Sequence, residues 1–415
     1  MKTLNTVRFA LLAAAALFTH TAFAGKPPPP PPPPTPSSGT LVLDYAGPDG
    51  NGAVNWGLVV APSGRLYAVG NDYPADGYWK QLVLSSSDSG NSWSLLDEFG
   101  PPGQFVDFWF GLGGGIASDS VGNLYVSSFT YDYASTDRTG WYVRRSADGG
   151  LTWATVADFA VAPVSSSSDD VAVAADGAGN VYVAATDVYQ LNSVWHHDWT
   201  VQKGIGGTSF STIDVLPDSY PKDIFVHPTA GIFVVGQAKI TNKGATTWVW
   251  LVRRSMDGGA TWANVDTFQL SSSQSAVAMG VRADAVGNVY VVGSAYKSGS
   301  YNHWVVRKCT NGSNSWTTVD DYQPAANDPT EARCFTADAN GNLFVVGYSR
   351  GAFTGVGYLN HWIVRKSVGG TGAWTTVDDF QYGGSSSRPN AIAADALGNV
   401  FVGGDGGGHW LIKKY

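Results

Sequence analysis

The chain has 415 residues, of which only 14% are charged, and its formal net charge at neutral pH is −8. An acidic surface with few charges argues against nucleic acid and anionic membranes as partners. The 51 glycines and the aromatic content of 13% favour many short strands joined by tight turns.

Residues 1–24 have the pattern of a secretory signal peptide. Lys2 and Arg8 precede an apolar run, and Ala22-Phe23-Ala24 forms a small-x-small cleavage site. The run is shorter than the ~20 apolar residues that cross a bilayer, and no later segment reaches that length. We therefore expect export to the periplasm or the extracellular space, without a membrane span.

Residues 25–38 predict a stiff spacer. Eight consecutive prolines favour polyproline II and supply no backbone donors for a sheet. Such a segment separates the cleavage site from the folded body, and a docking ligand for a partner is the alternative. The predicted organisation is a signal peptide at 1–24, a spacer at 25–38 and a folded body at 39–415.

The folded body is built from seven repeats. The phrase AADALGNVFVGG at Ala393–Gly404 has six further versions. Each repeat holds four runs rich in Val, Tyr, Phe, Trp and Thr, separated by Gly, Asn, Asp and Ser, and none has helical periodicity. The pattern predicts an all-β fold, a seven-bladed β-propeller with four antiparallel strands per blade. One aromatic residue marks each repeat, at spacings of 51 to 58 residues: Tyr67, Tyr125, Tyr182, Phe233, Tyr290, Phe344 and Phe401.

The two ends of the folded body resemble different strands of one repeat. HWLIKKY at His409–Tyr415 matches only the third strand, and GTLVLDY at Gly39–Tyr45 matches only the fourth. We expect these amino- and carboxy-terminal strands to pair and close the last blade, which leaves no open edge between blades.

A second phrase, SADGGLTW at Ser146–Trp153, recurs as SMDGGATW at Ser255–Trp262 and as SSDSGNSW at Ser86–Trp93. We predict that Asp148 accepts hydrogen bonds from the backbone of its own turn, that the glycines adopt positive φ, and that Trp153 packs between sheets. The turn is therefore interpreted as structural.

This phrase resembles the motif of the Asp-box (BNR repeat) β-propeller proteins of the sialidase-like superfamily. The phrase DxxGNxYVxG resembles another short propeller repeat of exported bacterial proteins. Together the two resemblances cover nearly everything after Ser38 and imply a propeller fold. The class includes sialidases, endoglucanases and non-enzymatic receptors, so the resemblance does not assign an activity. The chain lacks the Arg-Ile-Pro signature of the sialidases, and no catalytic residue is assigned.

Residues shared by most blades are interpreted as scaffold. His303, His361 and His409 occupy equivalent positions in three successive repeats. Equivalent atoms of neighbouring blades are too far apart to share a zinc ion with bonds of ~2.0–2.1 Å. No metal site and no cofactor are predicted.

Function is expected on the face that carries the irregular loops between second and third strands and the links between blades. Some tryptophans near this face belong to no repeated position, and acidic and basic residues cluster where the sixth repeat begins. The candidate ligand-binding residues are Trp56, Trp109, Trp195, Trp248, Asp328, Glu331 and Arg333.

Two functional hypotheses follow for a protein that we expect to be monomeric. Aromatic side chains stack on sugar rings, so the leading hypothesis is extracellular glycan recognition, with or without glycoside hydrolysis. The alternative is a non-catalytic protein-binding scaffold, in which the loop aromatics pack down over the blades. Whether the two cysteines, Cys309 and Cys334, form a disulfide is left open.

Overall fold

The computed structural model describes residues 39–415 apart from 75–76, 78, 101–103, 108–114, 133–137, 165–170, 243, 327, 354–357 and 371. For 104–107, 130–132, 138–139, 160–164, 242 and 352–353 it describes the backbone alone. The predicted signal peptide and spacer lie outside the described residues. Within the described residues, no helix has the length and apolar character needed to cross a membrane.

The described residues form seven antiparallel sheets, the blades of a propeller. In blade 2 the innermost strand is split into two segments, β6 and β7, which both pair with β8. The first three blades contain β2 (Ala53–Val60), β3 (Leu66–Asp72), β4 (Lys80–Ser86) and β5 (Ser94–Phe99); β6 (Gln104–Asp107), β7 (Ile116–Ser118), β8 (Leu124–Asp132), β9 (Arg138–Ser146) and β10 (Ala154–Val164); and β11 (Val171–Ala175), β12 (Val181–Leu191), β13 (Val194–Ile205) and β14 (Ser209–Leu216).

The remaining blades have the same order of strands. The helical segments among the described residues are two short 3-10 turns, Thr310–Gly312 and Val368–Gly370. The strands are β15 (Ser219–His227), β16 (Gly231–Asn242), β17 (Ala245–Ser255) and β18 (Ala263–Phe268) in blade 4; β19 (Ala276–Ala283), β20 (Val289–Tyr296), β21 (Asn302–Cys309) and β22 (Trp316–Tyr322) in blade 5; β23 (Thr330–Ala337), β24 (Leu343–Phe353), β25 (Tyr358–Ser367) and β26 (Trp374–Phe380) in blade 6; and β27 (Ser387–Ala394), β28 (Val400–Gly406), β29 (His409–Lys414) and β1 (Thr40–Tyr45) in blade 7.

Both ends of the folded body contribute to blade 7, as predicted. Strand β1 lies antiparallel to β29, with Thr40 opposite Lys414 and Tyr45 opposite Trp410. The sheet order is β1-β29-β28-β27, so the amino-terminal strand supplies the outer edge of the last blade. The prediction of a seven-bladed ring closed by both terminal strands is confirmed.

The core lies between neighbouring blades. The third strand of six blades carries a tryptophan that is almost completely buried. The indole N–H groups of five of these rings are buried without a hydrogen-bond partner, so the rings act as apolar packing. The six are Trp141, Trp199, Trp250, Trp304, Trp362 and Trp410.

Among the described residues, a buried ion pair of one kind occurs at five of the seven interfaces between blades. In each, a cation in the third strand of one blade reaches an aspartate in the fourth strand of the preceding blade. Arg365 Nε lies 2.8 Å from Asp320 Oδ2, and both side chains are 8% exposed. The other pairs are Arg144–Asp97, Arg253–Asp214, Arg307–Asp266 and Lys413–Asp378.

At the other two interfaces both charges are absent. At the interface between blades 7 and 1, the equivalent positions are Leu43 of β1 and Leu84 of β4, which pack in the same apolar cluster. Between blades 2 and 3 the equivalent positions hold Ala157 and Gln202. A buried charge is costly only when its partner is missing, so the acid and the base are kept or lost together.

The Asp-Gly-Trp turns have the internal hydrogen bonds predicted from the sequence. Asp148 Oδ1 accepts from Thr152 N at 2.9 Å, and Asp148 Oδ2 accepts from Thr152 Oγ1 at 2.5 Å. These bonds, the side-chain one first, lower the pKa of Asp148 to about 2. Trp153 is partly buried against blade 1, in a cluster that includes Tyr67.

The same turns also join neighbouring blades. Tyr67 Oη donates to Gly149 O at 3.1 Å, and Lys203 Nζ donates to Gly258 O at 2.9 Å. At the closing interface Lys414 Nζ donates to Ser89 O at 3.2 Å. In every blade a cation lies over the marker aromatic at 4.9–5.9 Å, namely Arg65, Arg145, Lys203, Arg254, Lys308, Lys366 and Lys414.

We predict that Arg365→Met lowers the free energy of unfolding by about 3–5 kcal/mol, because Asp320 is left buried and unpaired. The double variant Arg365→Met/Asp320→Leu, which reproduces the Leu43–Leu84 arrangement, should recover most of that loss. Denaturant unfolding measures both values.

The matched control is Lys80→Met, since Lys80 forms an exposed ion pair with Glu98. This change should cost no more than about 1 kcal/mol. A double variant less stable than Arg365→Met would contradict the paired-loss interpretation.

We also predict a pH dependence from the turns. The pKa of Asp257 in the folded state is about 2, below the ordinary 3.8, because Thr261 donates to its carboxylate. The stabilisation is complete above the unfolded pKa and is lost as the pH falls from about 4 to about 2. Asp257→Asn should make this loss of thermal stability less steep; a slope equal to that of the wild type would refute the assignment.

Candidate functional site

The innermost strands of blades 1, 4, 5, 6 and 7 share a β-bulge near the face of the irregular loops. A bulge bends its strand and redirects one side chain. In blade 6 the bulged residue is Arg333, which reaches blade 7; in blade 7 it is Asn390, which donates from Nδ2 to Asn55 O of blade 1 at 2.9 Å. The bulged positions are Trp56, Lys222, Met279, Arg333 and Asn390.

Blades 6 and 7 place a group of polar side chains around Arg333. The Arg333 side chain is buried, and its Nε lies 3.1 Å from Glu331 Oε1. Its Nη1 donates to Asn390 Oδ1, and Asn390 Nδ2 donates to Asp405 Oδ1 at 3.2 Å. We define the axial cluster as Glu331, Arg333, Tyr348, Arg388, Asn390 and Asp405.

Tyr348 lies at the middle of the axial cluster. It is opposite Glu331 in the strand register, and the guanidinium groups of Arg333 and Arg388 lie 5.0 and 5.4 Å from its ring centre. The nearby Glu331 carboxylate, and then burial, raise the pKa of Tyr348 to about 12. The phenol is therefore protonated at neutral pH and remains a hydrogen-bond donor.

The outer part of the axial cluster reaches solvent through Arg388. This side chain is exposed. The side-chain oxygen of Asn360 accepts hydrogen bonds from Arg388 Nε and Nη2 at 2.5 and 2.6 Å. Burial raises the pKa of the Asp405 carboxyl, against the opposing effect of Arg333. The arrangement offers donors to an oxygen-rich ligand at the solvent side and a pre-ordered ionic network beneath them.

The sequence-predicted charged residues lie together at the start of blade 6. Glu331 and Arg333 belong to the axial cluster. Asp328 lies just before β23, and burial raises its pKa while His361 and Arg350 oppose that shift. Their placement as ligand-binding residues remains a prediction.

The sequence-predicted tryptophans have different surroundings. Trp56 is partly buried against the core of blades 1 and 2, and its indole N–H has no hydrogen-bond partner. Trp248 is partly buried, 5.2 Å from the ring of Tyr220. Trp195 is 46% exposed. Trp109 lies outside the described residues.

Aromatic side chains follow the long hairpins of blades 3 and 4. Tyr189 stacks on His196 with ring centres 5.2 Å apart, and His197 contacts Tyr220 across the blade boundary at 5.3 Å. We define the aromatic group as Tyr189, Trp195, His196, His197, Tyr220 and Trp248. It lies on the same face as the axial cluster, at other blades.

The histidines at equivalent positions each pair with an aspartate of the fourth strand in their own blade. His303 Nδ1 lies 2.6 Å from Asp321 Oδ1, and His361 Nδ1 lies 2.6 Å from Asp379 Oδ1. His409 forms the same contact with Asp44, on the amino-terminal strand. These contacts explain the repetition as a link between third and fourth strands. The described residues contain no cluster of three metal-ligating side chains.

A further carboxylate, on the innermost strand of blade 4, is structural. Asp223 is 1% exposed, and its Oδ2 accepts from Val281 N at 2.9 Å and from Arg282 Nη1 at 2.5 Å. Burial raises its pKa to about 6. Asp223 therefore links the inner strands of blades 4 and 5.

Three members of the axial cluster, Tyr348, Asn390 and Asp405, are not apparent from their position in the repeats. In the sequence, these residues are distinguished only by their departure from the residue types at the equivalent positions of other blades. Ser294 of blade 5 has a small side chain where blades 6 and 7 have Tyr348 and Asp405.

Comparison with known proteins shows the fold. No family model matches the chain, and no curated protein matches it. A xyloglucanase from Xanthomonas campestris is 15% identical with a TM-score of 0.54, over 89% of this chain and 52% of the xyloglucanase, so the chain spans about half of that enzyme. An α-L-arabinanase from Penicillium chrysogenum, 14% identical over 92% of this chain and 98% of its own, has a TM-score of 0.49. A Hadza microbial sialidase, 12% identical over 73% and 66%, has a TM-score of 0.44.

Cys334 lies directly below the axial cluster and is a free thiol, as is Cys309. Cys334 Sγ donates to Asn390 O at 3.0 Å, and burial raises its pKa to about 12. We predict that a thiol reagent at pH 8 labels neither cysteine of the folded protein quickly, because both side chains are buried and the raised pKa of Cys334 keeps its thiolate scarce. Unfolding should release two reactive thiols, and Cys334→Ala should leave one; rapid labelling of the folded protein would contradict this.

Proposed function

We propose that this protein recognises a glycan through the face formed by the irregular loops, using the axial cluster for polar contacts and the aromatic group for stacking. The observation that carries the proposal is the convergence of Arg333, Arg388 and Glu331 on Tyr348. The buried ionic network holds the solvent-side donors in place, which lowers the ordering cost of binding.

Trp195 is the second element of the proposal. It is the exposed ring of the aromatic group, at the tip of the β12–β13 hairpin. The turn residues Asn192 and Ser193 both have positive φ, as a tight two-residue hairpin turn requires. An exposed aromatic face on an ordered hairpin suits the apolar face of a sugar ring.

The cluster favours recognition over hydrolysis. Glu331 is engaged by Arg333, and Asp405 is held by Asn390 beneath the surface. A hydrolase needs two carboxyls that flank a bond of the substrate. Both acids of the axial cluster instead support side chains of the same network.

Three further features complete the proposal. We assign the chain to the Asp-box propellers on the phrases at Ser146–Trp153 and Ser255–Trp262, and we expect export through residues 1–24. We expect the exported protein to be a monomer. The xyloglucanase that shares the fold is named for a polysaccharide, which is consistent with a glycan ligand; the proposal is carried by the side chains of this chain.

The alternative, a protein-binding scaffold, is favoured by one observation. Leu191 and Val194 lie opposite each other at the tip of the hairpin that carries Trp195, and they are 55% and 57% exposed. Contiguous exposed apolar side chains are typical of interaction sites. A scaffold of this kind binds protein and retains no glycan.

The test is a glycan array probed with the exported protein, followed by titration with the best ligand. Arg388→Ala and Trp195→Ala should each weaken binding by about tenfold, because each removes an exposed contact of about 1.4 kcal/mol. Both positions are exposed, so the fold should be retained. Leu151→Ala, at a 72% exposed position on the opposite face, is the matched control and should bind as the wild type does.

Two outcomes would reject the proposal. One is the absence of any bound glycan on the array. The other is a bound glycan whose affinity is unchanged in both Arg388→Ala and Trp195→Ala, since that would place the ligand elsewhere.

A further inference from the structure

On the face opposite the proposed glycan site, blade 3 has the shortest connection between a third and a fourth strand. In blades 2 and 4, residues 147–153 and 256–262 connect the third and fourth strands. In blade 3, residues 206–208 alone make this connection, between β13 and β14. The short turn leaves a gap beside Arg145 of blade 2.

Arg145 and Arg254 occupy the same position in their blades, each opposite the marker aromatic. Arg254 donates from Nε to Ala230 O at 2.7 Å, and from Nη1 to Gly312 O of blade 5 at 2.7 Å. Arg145 faces the short turn, and its Nε is buried without a hydrogen-bond partner. The protein therefore provides hydrogen-bond acceptors for Arg254 Nε and Nη1, whereas Arg145 Nε has none.

A cavity of about 260 Å³ occupies the gap. Its size suits a small ligand of the dimensions of a monosaccharide. Ser120 Oγ closes one side by donating to Gly177 O at 3.0 Å. The lining includes Asn123, Tyr125, Arg145, Gly177, Ala178 and Gly206.

The acid that lines the cavity, Asp119, uses its oxygens for donors other than Arg145. Asp119 Oδ1 accepts from Asn123 N at 2.8 Å and from Val121 N at 3.1 Å. Asp119 Oδ2 accepts from Asn123 Nδ2 at 2.6 Å and from Tyr125 Oη at 3.3 Å. These four donors occupy both carboxylate oxygens, whereas the guanidinium of Arg145 lies over the Tyr125 ring, 5.9 Å from its centre.

We propose that this cavity is an oxyanion-binding site, in which Arg145 binds the carboxylate or sulfate group of a small acidic ligand. A planar guanidinium matches the two oxygens of such a group. The oxyanion takes the place of the Gly312 carbonyl, which the longer turn of blade 5 supplies to Arg254. This site is separate from the proposed glycan face and does not depend on it.

The experiment is a titration followed through the arginine N–H resonances of isotope-labelled protein, at constant ionic strength. The probes are D-glucuronate, inorganic sulfate and neutral D-glucose. The Arg145 resonance should shift saturably with glucuronate or sulfate and not with glucose. Saturation by sulfate alone identifies free inorganic anions as the source, and preference for glucuronate identifies acidic sugars.

Two variants at Arg145 test the role of the guanidinium. Arg145→Gln should abolish saturable binding, measured by calorimetry. Arg145→Lys should weaken it by about tenfold, because an ammonium loses the paired contact. The lysine variant should fold, since Lys203 and Lys308 occupy the same position in other blades.

The controls separate this site from the other face. Lys308→Gln removes an equivalent cation beside a longer turn and should leave anion binding unchanged. Arg388→Gln removes the exposed cation of the axial cluster and should also leave it unchanged. The proposal is overturned if no probe saturates, or if saturable binding survives in Arg145→Gln.

Discussion

The antiparallel pairing of β1 with β29 is the constraint on which the ring depends. A propeller blade buries its faces only against two neighbours, so an open ring exposes two apolar faces at once. The pairing of Thr40–Tyr45 with His409–Lys414 removes that opening, because the last blade is completed by residues from the start of the folded body. Lys414 then reaches the blade 1 turn at Ser89, and His409 contacts Asp44 within the closed sheet. The closure is therefore held by backbone ladder bonds and by side chains.

The interfaces between blades show which repeated features are independent and which are coupled. The tryptophans are independent, since each fills its own interface. The ion pairs are coupled, because a buried arginine without its aspartate costs more than two apolar residues do. Leu43 and Leu84 at the closing interface, and Ala157 with Gln202 between blades 2 and 3, show the two ways in which the pair is replaced. A scaffold of this kind remains stable when both members of a pair are replaced, and it is destabilised when only one member is replaced.

The repeated part of the molecule is predictable from the sequence because each repeated position has the same surroundings in every blade. The strand count, the ring closure and the hydrogen bonds of the Asp-Gly-Trp turns follow from that regularity. Glu331 and Arg333 are recognisable because acid and base cluster where a blade begins. Tyr348 and Asp405 are not, because they meet Arg333 only through the bulges of β23 and β27 and through contacts between two blades. The burial of Trp56 is unpredictable for the same reason, since its environment is supplied by the neighbouring blade.

The departures from the repeat are therefore more informative about function than the repeat itself. A residue repeated in several blades satisfies the same structural need each time, as Asp88, Asp148 and Asp257 do in their turns. A residue that occurs in one blade only serves a role specific to that blade, and its contacts show whether this role is structural. Asp223 has such a role, because its carboxylate is used by the inner strands of blades 4 and 5. Arg388 and Trp195 are exposed and occur at positions without a repeated counterpart, and Arg145 keeps a repeated position but lacks the hydrogen bonds that Arg254 makes. Binding energy is available where the protein has ordered a side chain without using all of its contacts, and these three residues meet that condition.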